Sequence, residues 1–318
     1  MSGRLGPREF SEEEALALPG VCPLCSASSG QLHVESRVVP GGTDEHSYFR
    51  CGTCEVRFLW PRLSTEDEVR FYRDEFAVFM QSREGTESLP LTAQAHRERN
   101  EALRLERMAR ISADLSTPKR VLEVGCASGF MLLPLQAQGH SCMAVEPSGL
   151  FREDLNSRGL PTFESVDDLV ASGDFSFDLI FHYFVLEHVG DPLGFVQQQI
   201  GLLAPGGTLE FELPCGNDAL LEVYKLDSFR DFYFQVGHQW VFTPQSLSWL
   251  LDKTGMDVEV GLRQRYGLAN HINWAENGRP GGNPVLAAIY GDALDSAYRE
   301  RLVDTGHADT LTAVIRKL

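Results

Sequence analysis

The chain has 318 residues, 43% hydrophobic and 23% charged, long enough for a sizeable core plus a small extra module and too apolar for wholesale disorder. Asp and Glu total 45 against 28 Lys and Arg, and the formal net charge of −17 opposes general nucleic-acid binding while leaving room for a small anion in a local pocket. No run of about 18 apolar residues occurs, so neither a membrane span nor a membrane partner is expected.

Residues 1–20 read as a polar, solvated lead without the basic flank and apolar stretch of a signal peptide, so the expected compartment is the cytoplasm. Residues 21–61 form a Cys-, Gly- and Ser-rich module of short strands and turns. It contains Cys22-Pro-Leu-Cys25 and Cys51-Gly-Thr-Cys54. Two such knuckles offer four thiolates for a tetrahedral, structural Zn²⁺ with no open coordination position. A redox dithiol pair is the other reading, but no thioredoxin-like pattern surrounds either knuckle. Cys126, Cys142 and Cys215 are expected to be free core or loop thiols. Residues 62–116 predict a helical linker. Its first helix, STEDEVRFYRDEFAVFM, opens on a capping box of Thr65 and Glu68, with Ser64 and Asp67 a weaker version one residue earlier. The second runs through AQAHRERNEALRLERMARISADL, with Leu105, Met108, Ala109 and Ile111 near helical spacing.

From Lys119 strands and helices alternate. The expected strands are KRVLEVG, HSCMAVEP, LPTFE, FDLIFHYFV, TLEFELP, MDVEVGLRQ and, last, NPVLAAIYG. GFMLLPLQAQG, DPLGFVQQQIGLLAPGG and TPQSLSWLLDKTG read as helices, and an aromatic-rich insertion at 215–240 interrupts the order. The pattern predicts an α/β fold, a doubly wound Rossmann-like sheet over residues 117–318.

Val121–Phe130, VLEVGCASGF, is a strand entering a tight turn of small residues and then a helix. Glu123 sits near the strand end, and Gly125, Ala127 and Gly129 line the turn. Glu146 closes the next strand 21 positions after Gly125, where a carboxylate suits ribose hydroxyls. The Glu-x-Gly-x-Ala-x-Gly pattern lacks the spacing of a dinucleotide fingerprint. Together with VLEHVGDP and LLAPGGTLEFELP, it resembles the class I S-adenosylmethionine-dependent methyltransferases over about residues 118–290.

That resemblance implies a seven-stranded sheet whose last strand is antiparallel. It implies that Glu123, Gly125, Ala127 and Gly129 border the methionine part of S-adenosylmethionine, although the family more often has Gly at the position of Ala127. Glu146 would bind the ribose hydroxyls and Pro147 would shape the turn beside the adenine. Glu164 or Ser165 would reach the adenine edge, and His182 and Tyr183 would line the sulfonium side. A zinc ribbon ahead of such a domain, with YRDEFAVFMQSREG and YGLANHINW, looks like bacterial sugar methyltransferases encoded with polysaccharide biosynthesis, including C-methyltransferases of nucleotide-linked ketosugars. A carbohydrate small molecule is the implied acceptor.

The insertion supplies Tyr224, Arg230, Asp231, Tyr233, Gln235, His238 and Trp240, rings and polar groups suited to a sugar. By context His238 is similar to the second His of a His-Glu-His-x-x-Tyr-Phe segment in the sugar C-methyltransferases. Val236, Gly237 and Val241 replace the first His, the Glu and the Tyr, which puts carbon as the acceptor in doubt. The catalytic candidates are His238 as general base, with a backbone-bonded structural His as the alternative, and Tyr233 as an acid/base or orienting group. His188 is read as a rim residue or a substrate contact. Asn270, His271, Asn273 and Trp274 are read as a substrate lid or a structured connection. The acceptor atom and the oligomeric state stay open. The rivals are an O- or N-methyltransferase of another small natural product and, in a different class, a non-catalytic zinc-ribbon binding module with a degenerate methyltransferase domain.

Overall fold

A computed structural model describes residues 18–71 and 92–318. The YRDEFAVFMQSREG segment and most of the polar lead lie outside the described residues. The N-terminal module contributes β1 (Leu32–Ser36), β2 (Ser47–Cys51) and β3 (Arg57–Trp60), followed by the short helix α1 (Thr65–Arg70). Ser64, not Thr65, caps α1: its hydroxyl accepts the Asp67 N–H, and Thr65 is already helical. The second expected helix is two, α2 (Ala93–Arg99) and α3 (Glu101–Met108), broken at Asn100, whose side-chain amide bonds back to the His96 carbonyl.

The C-terminal part then alternates. It runs β4 (Arg120–Val124), α4 (Leu132–Ala137), β5 (Ser141–Val145), α5 (Gly149–Ser157), β6 (Thr162–Phe163), α6 (Val166–Ser172), β7 (Phe177–Tyr183), α7 (Pro192–Leu202) and β8 (Leu203–Pro214). The insertion holds α8 (Ala219–Glu222), α9 (Asp227–Tyr233) and β9 (Trp240–Val241). The chain closes with α10 (Pro244–Leu251), β10 (Asp257–Arg263), α11 (Leu268–Asn277), α12 (Pro284–Asp304) and β11 (Thr310–Arg316). The large sheet has the order β10-β11-β8-β7-β4-β5-β6. Strands β4 to β8 pair in parallel, and β11 is antiparallel to both its neighbours, as expected for this class of sheet.

One expectation fails at the C-terminal end. NPVLAAIYG is the start of α12, not the last strand. Asn283 caps it by accepting the N–H groups of Val285 and Leu286, and Pro284 follows as the first helical residue. The seventh strand is β11, whose burial alternates along TAVIR in the period-two manner of a strand. YGLANHINW, read as a substrate lid or a structured connection, is largely helix α11.

The cysteine module is joined to the larger α/β part. β9 of the insertion pairs with β3 and extends the small sheet to β1-β2-β3-β9. One apolar cluster runs from Phe49, Val56 and Phe58 through Trp240 and Phe242 to Leu209 and Phe211 of the large sheet. Arg57, fully buried, donates to the Gly216 carbonyl at 2.9 Å and pairs with Glu222 and, at 3.3 Å, with Glu35. Among the described residues no helix is long and apolar enough to cross a membrane.

Candidate active site

The turn after β4 folds back on the end of β5, with Gly125 N–H donating to the Val145 carbonyl at 2.8 Å. Gly125 and Gly129 take φ of 72° and 70°. A Cβ at Gly125 would lie 2.6 Å from Val185 Cγ2, and one at Gly129 2.5 Å from Leu155 Cδ2, so both positions need glycine for space as well as backbone. Ala127, between them, also adopts a left-handed φ of 48°. Helix α2 clamps the turn from above. His96 Nδ1 lies 2.9 Å from Ser128 Oγ, and Arg97 donates to the Ser128 carbonyl and to Asp154.

Glu146 reaches under this turn. Its two oxygens accept the N–H groups of Ala127 at 2.7 Å and Ser148 at 2.9 Å, and each oxygen keeps a second lone pair. Burial pushes this carboxyl up to about 7 against the pull of those N–H groups. Pro147 and Glu146 offer their carbonyls to Arg152, whose other nitrogen donates to Glu164 at 2.9 Å. Glu164 is therefore tied to Arg152 with its carboxyl half in solvent, and the Ser165 hydroxyl is engaged in capping α6.

Glu123 and Arg107 were paired by nothing in the sequence pattern. Glu123 is 2% exposed, its Oε2 has no hydrogen-bond partner among the described residues, and burial raises it well above the usual range. Arg107, from α3, lays its guanidinium 3.9 Å over the Tyr183 ring, and its Nε is likewise unpartnered. Burial lowers it to about 10. Tyr183 thus faces the glycine turn side of the sheet. His182 does not. Strand alternation turns its ring to the opposite face, fully buried, stacked 4.6 Å from Phe211 and edge-on to Phe195. Burial alone drops it to about 3, and the expectation that it lines the sulfonium side is corrected.

A cleft of about 840 Å³ opens past the end of β7. Phe184 lines it while its neighbour Val185 abuts Gly125. The insertion contributes Phe229, Phe232, Tyr233, Gln235 and His238, and α11 contributes Asn270, His271 and Trp274. His238 Nδ1 donates to the Tyr233 carbonyl at 3.0 Å, which leaves Nε2 as the lone-pair nitrogen; it accepts from the Gln235 amide at 2.9 Å. His188 does line the cleft, its Nδ1 donating to the Gly237 carbonyl at 2.7 Å, and burial lowers it to about 4. Its ring is 5.1 Å from that of His238.

Other candidates sit elsewhere. The Tyr233 hydroxyl donates to the Cys215 carbonyl at 2.8 Å, and burial beside Asp218 pushes it well above the usual phenol range, so it holds the loop and is no acid/base group. Trp240 is a core residue, 1% exposed, donating its indole N–H to the Val189 carbonyl. Arg230 of α9 pairs with Asp227 at 2.9 Å and with Asp231 at 3.8 Å. Tyr224 is exposed and bonds to Tyr298. Sequence reading missed Glu187 and Asp218, both buried carboxyls of the cleft. The available signal for Glu187 was its place directly before His188.

The four module cysteines converge as free thiols. Cys22 Sγ lies 3.8 Å from Cys54 Sγ and Cys25 Sγ 3.6 Å from Cys51 Sγ, all four within 4.8 Å of one another. Four sulfurs at about 2.3 Å from a tetrahedral zinc have edges of about 3.8 Å. The knuckles match in backbone too: Ser26 and Glu55, each just after a second cysteine, take φ of 62° and 64°.

Residues 95–259 match the model of a family described as a methyltransferase domain. The ubiquinone biosynthesis O-methyltransferase of Xanthomonas campestris pv. campestris (strain B100) is 32% identical over 116 residues, covering 34% of this chain and 48% of that protein. The protein of the same name from Cereibacter sphaeroides is 26% identical over 191 residues, 52% of this chain and 72% of that one. The chain thus spans about half the length of the Xanthomonas relative it matches. Among solved structures, a SAM-dependent methyltransferase from Archaeoglobus fulgidus aligns with a TM-score of 0.47 at 17% identity, covering 77% of this chain and 100% of that one.

Proposed function

The chain belongs to the methyltransferase-domain family, and from that premise we propose that it is an S-adenosylmethionine-dependent methyltransferase that methylates a carbohydrate-type small molecule held in the cleft lined by Phe184. The observation that carries the reading is that Phe184, which lines the cleft, is followed directly by Val185, which abuts Gly125 of the turn.

The residues around the turn fit the cofactor. The orphaned Glu123 Oε2 and Arg107 Nε are a buried acceptor and donor suited to the amino and carboxylate ends of a methionine moiety. Glu146 has lone pairs left for two ribose hydroxyls. When bound, S-adenosylmethionine supplies an electrophilic methyl group. The chain's own part is to align the acceptor with it and to receive the acceptor's proton. Aromatic rings of Phe229, Tyr233 and Trp274 give stacking surfaces for a sugar, and His238 Nε2 is the proposed base. The four thiols are proposed to hold a structural zinc that takes no part in transfer.

A phenolic or other non-sugar acceptor is the second reading, favoured by relatives named as ubiquinone biosynthesis O-methyltransferases. Labelled-methyl transfer to a panel of sugar nucleotides and free sugars tests the proposal. We expect turnover on carbohydrate acceptors that His238→Ala lowers about 100-fold with S-adenosylmethionine affinity unchanged. Transfer to non-carbohydrate acceptors alone would refute it.

A further inference from the structure

The cleft wall carries the carboxyls of Glu187, Asp218, Asp292, Asp295 and Asp309 against the guanidiniums of Arg265 and Arg299. Asp295 is paired to Arg299 at 2.6 Å, and Asp309 accepts the N–H groups of Arg265 and Tyr266 and the Thr310 hydroxyl. The Arg265 guanidinium lies 4.3 Å over the Phe184 ring.

Glu187 has no such hydrogen-bonded partner, although the Arg265 guanidinium of the same wall attracts it. It is 1% exposed, and neither carboxyl oxygen has a hydrogen bond among the described residues; His188 Nε2 stands 3.7 Å away on a ring that burial keeps neutral. Asp218, 3% exposed, gives one oxygen to the Leu220 N–H at 2.7 Å. Both residues line the same cleft, and the Asp218 N–H shares the Cys215 carbonyl with the Tyr233 hydroxyl. A buried carboxyl of this kind requires a cation or a proton. The rings of Phe229, Tyr233 and Trp274 along the same wall favour a cation as well.

We infer that the acceptor carries a primary or secondary amine whose ammonium form pairs with Glu187, with Asp218 as the second anion of the wall, and that nitrogen is the atom methylated. The inference rests on the methyl-transfer reading and names its substrate class. The ammonium gives one proton to His238 Nε2, which releases its Gln235 hydrogen bond to take it. The freed nitrogen lone pair forms the N–C bond while the C–S bond breaks, its electron pair staying on sulfur. A divalent ion at Glu187, His188 and His238, whose ligand atoms lie within 4.8 Å, is the rival occupant; it leaves Asp218 and the aromatic wall without a part.

The test uses the full chain and matched pairs of aminodeoxyhexoses and their hydroxyl parents, by thermal shift and calorimetry without cofactor and by mass analysis of labelled product with it. We expect the amine of at least one pair to bind about 10-fold more tightly than its parent and to be methylated at nitrogen. Glu187→Gln should erase that preference with S-adenosylmethionine affinity unchanged. Equal binding across every pair, an O-methyl product, or a preference surviving in Glu187→Gln would overturn the inference, the last because glutamine mimics a protonated Glu187. Metal analysis that finds a second ion, beyond the one held by the four cysteines, and its loss in Glu187→Gln would overturn it in favour of the ion. Failure of the methyl-transfer reading shows separately, as absent cofactor binding with the amine preference intact.

Discussion

At Ala127 the backbone holds φ 48°, where a Cβ costs about 1–2 kcal/mol. Ala127→Gly is therefore expected to leave the melting temperature unchanged or raise it slightly, the relief being offset by a more flexible unfolded chain. Gly125→Ala is expected to destabilise by about 1–3 kcal/mol in denaturant unfolding, because the new methyl meets Val185. The turn was legible from Gly125, Gly129 and Glu146, since small residues at fixed spacing and a carboxylate one strand later are local in sequence. His182 was misplaced for the opposite reason. Only the pleat of β7 decides which of two adjacent residues faces the cofactor side, and a continuous apolar run hides that phase. Glu187 and Arg107 were not legible, because their meaning is the absence of a hydrogen-bond partner in a buried place, and Asp218 was not, because its burial in the cleft appears only in the packed chain.

The four-stranded small sheet does more than hold a metal. Tyr48 of β2 donates its hydroxyl to the Gln235 carbonyl at 2.8 Å and also meets the His238 carbonyl, while Val236 N–H donates to Pro40. The cysteine module thus fixes the loop that carries the proposed base. Tyr48→Phe is expected to lower kcat about 5-fold, one hydrogen bond's worth, with S-adenosylmethionine affinity unchanged by calorimetry. Cys51→Ser should abolish zinc retention in metal analysis and lower the melting temperature by about 5 °C or more, since β2 and β3 share a core with Trp240 and Phe211. The knuckles were plain in the sequence, but their union with the insertion was not, because pairing of β3 with β9 joins residues far apart along the chain. The final strand was misassigned for a related reason. Val285, Leu286, Ile289 and Tyr290 are apolar enough to pass for a strand, whereas their spacing is helical.

Across the molecule, burial raises Glu146 to about 7 and Glu187 and Asp218 to about 8. Each folded value lies above the unfolded one, so the folded state keeps protons that the unfolded state has shed. The contribution is fully present below the unfolded values and is lost as pH rises through the folded ones. The ligand-free protein is expected to lose stability between about pH 5 and 8, each group adding at most about 1.4 kcal/mol per pH unit, and Glu187→Gln should flatten the profile in thermal melts. A profile indifferent to that substitution would mean Glu187 titrates normally. The seven-stranded sheet itself was legible from alternating strands and helices, and it brings the glycine turn after β4, the Glu146 end of β5 and the Phe184 end of β7 to one edge. Calorimetric titration of S-adenosylmethionine into the wild-type chain and into Glu146→Ala probes that convergence directly. Saturable binding at one site, weakened about 100-fold by the substitution, is the predicted result; no binding to the wild type, or equal affinity in both, would contradict it.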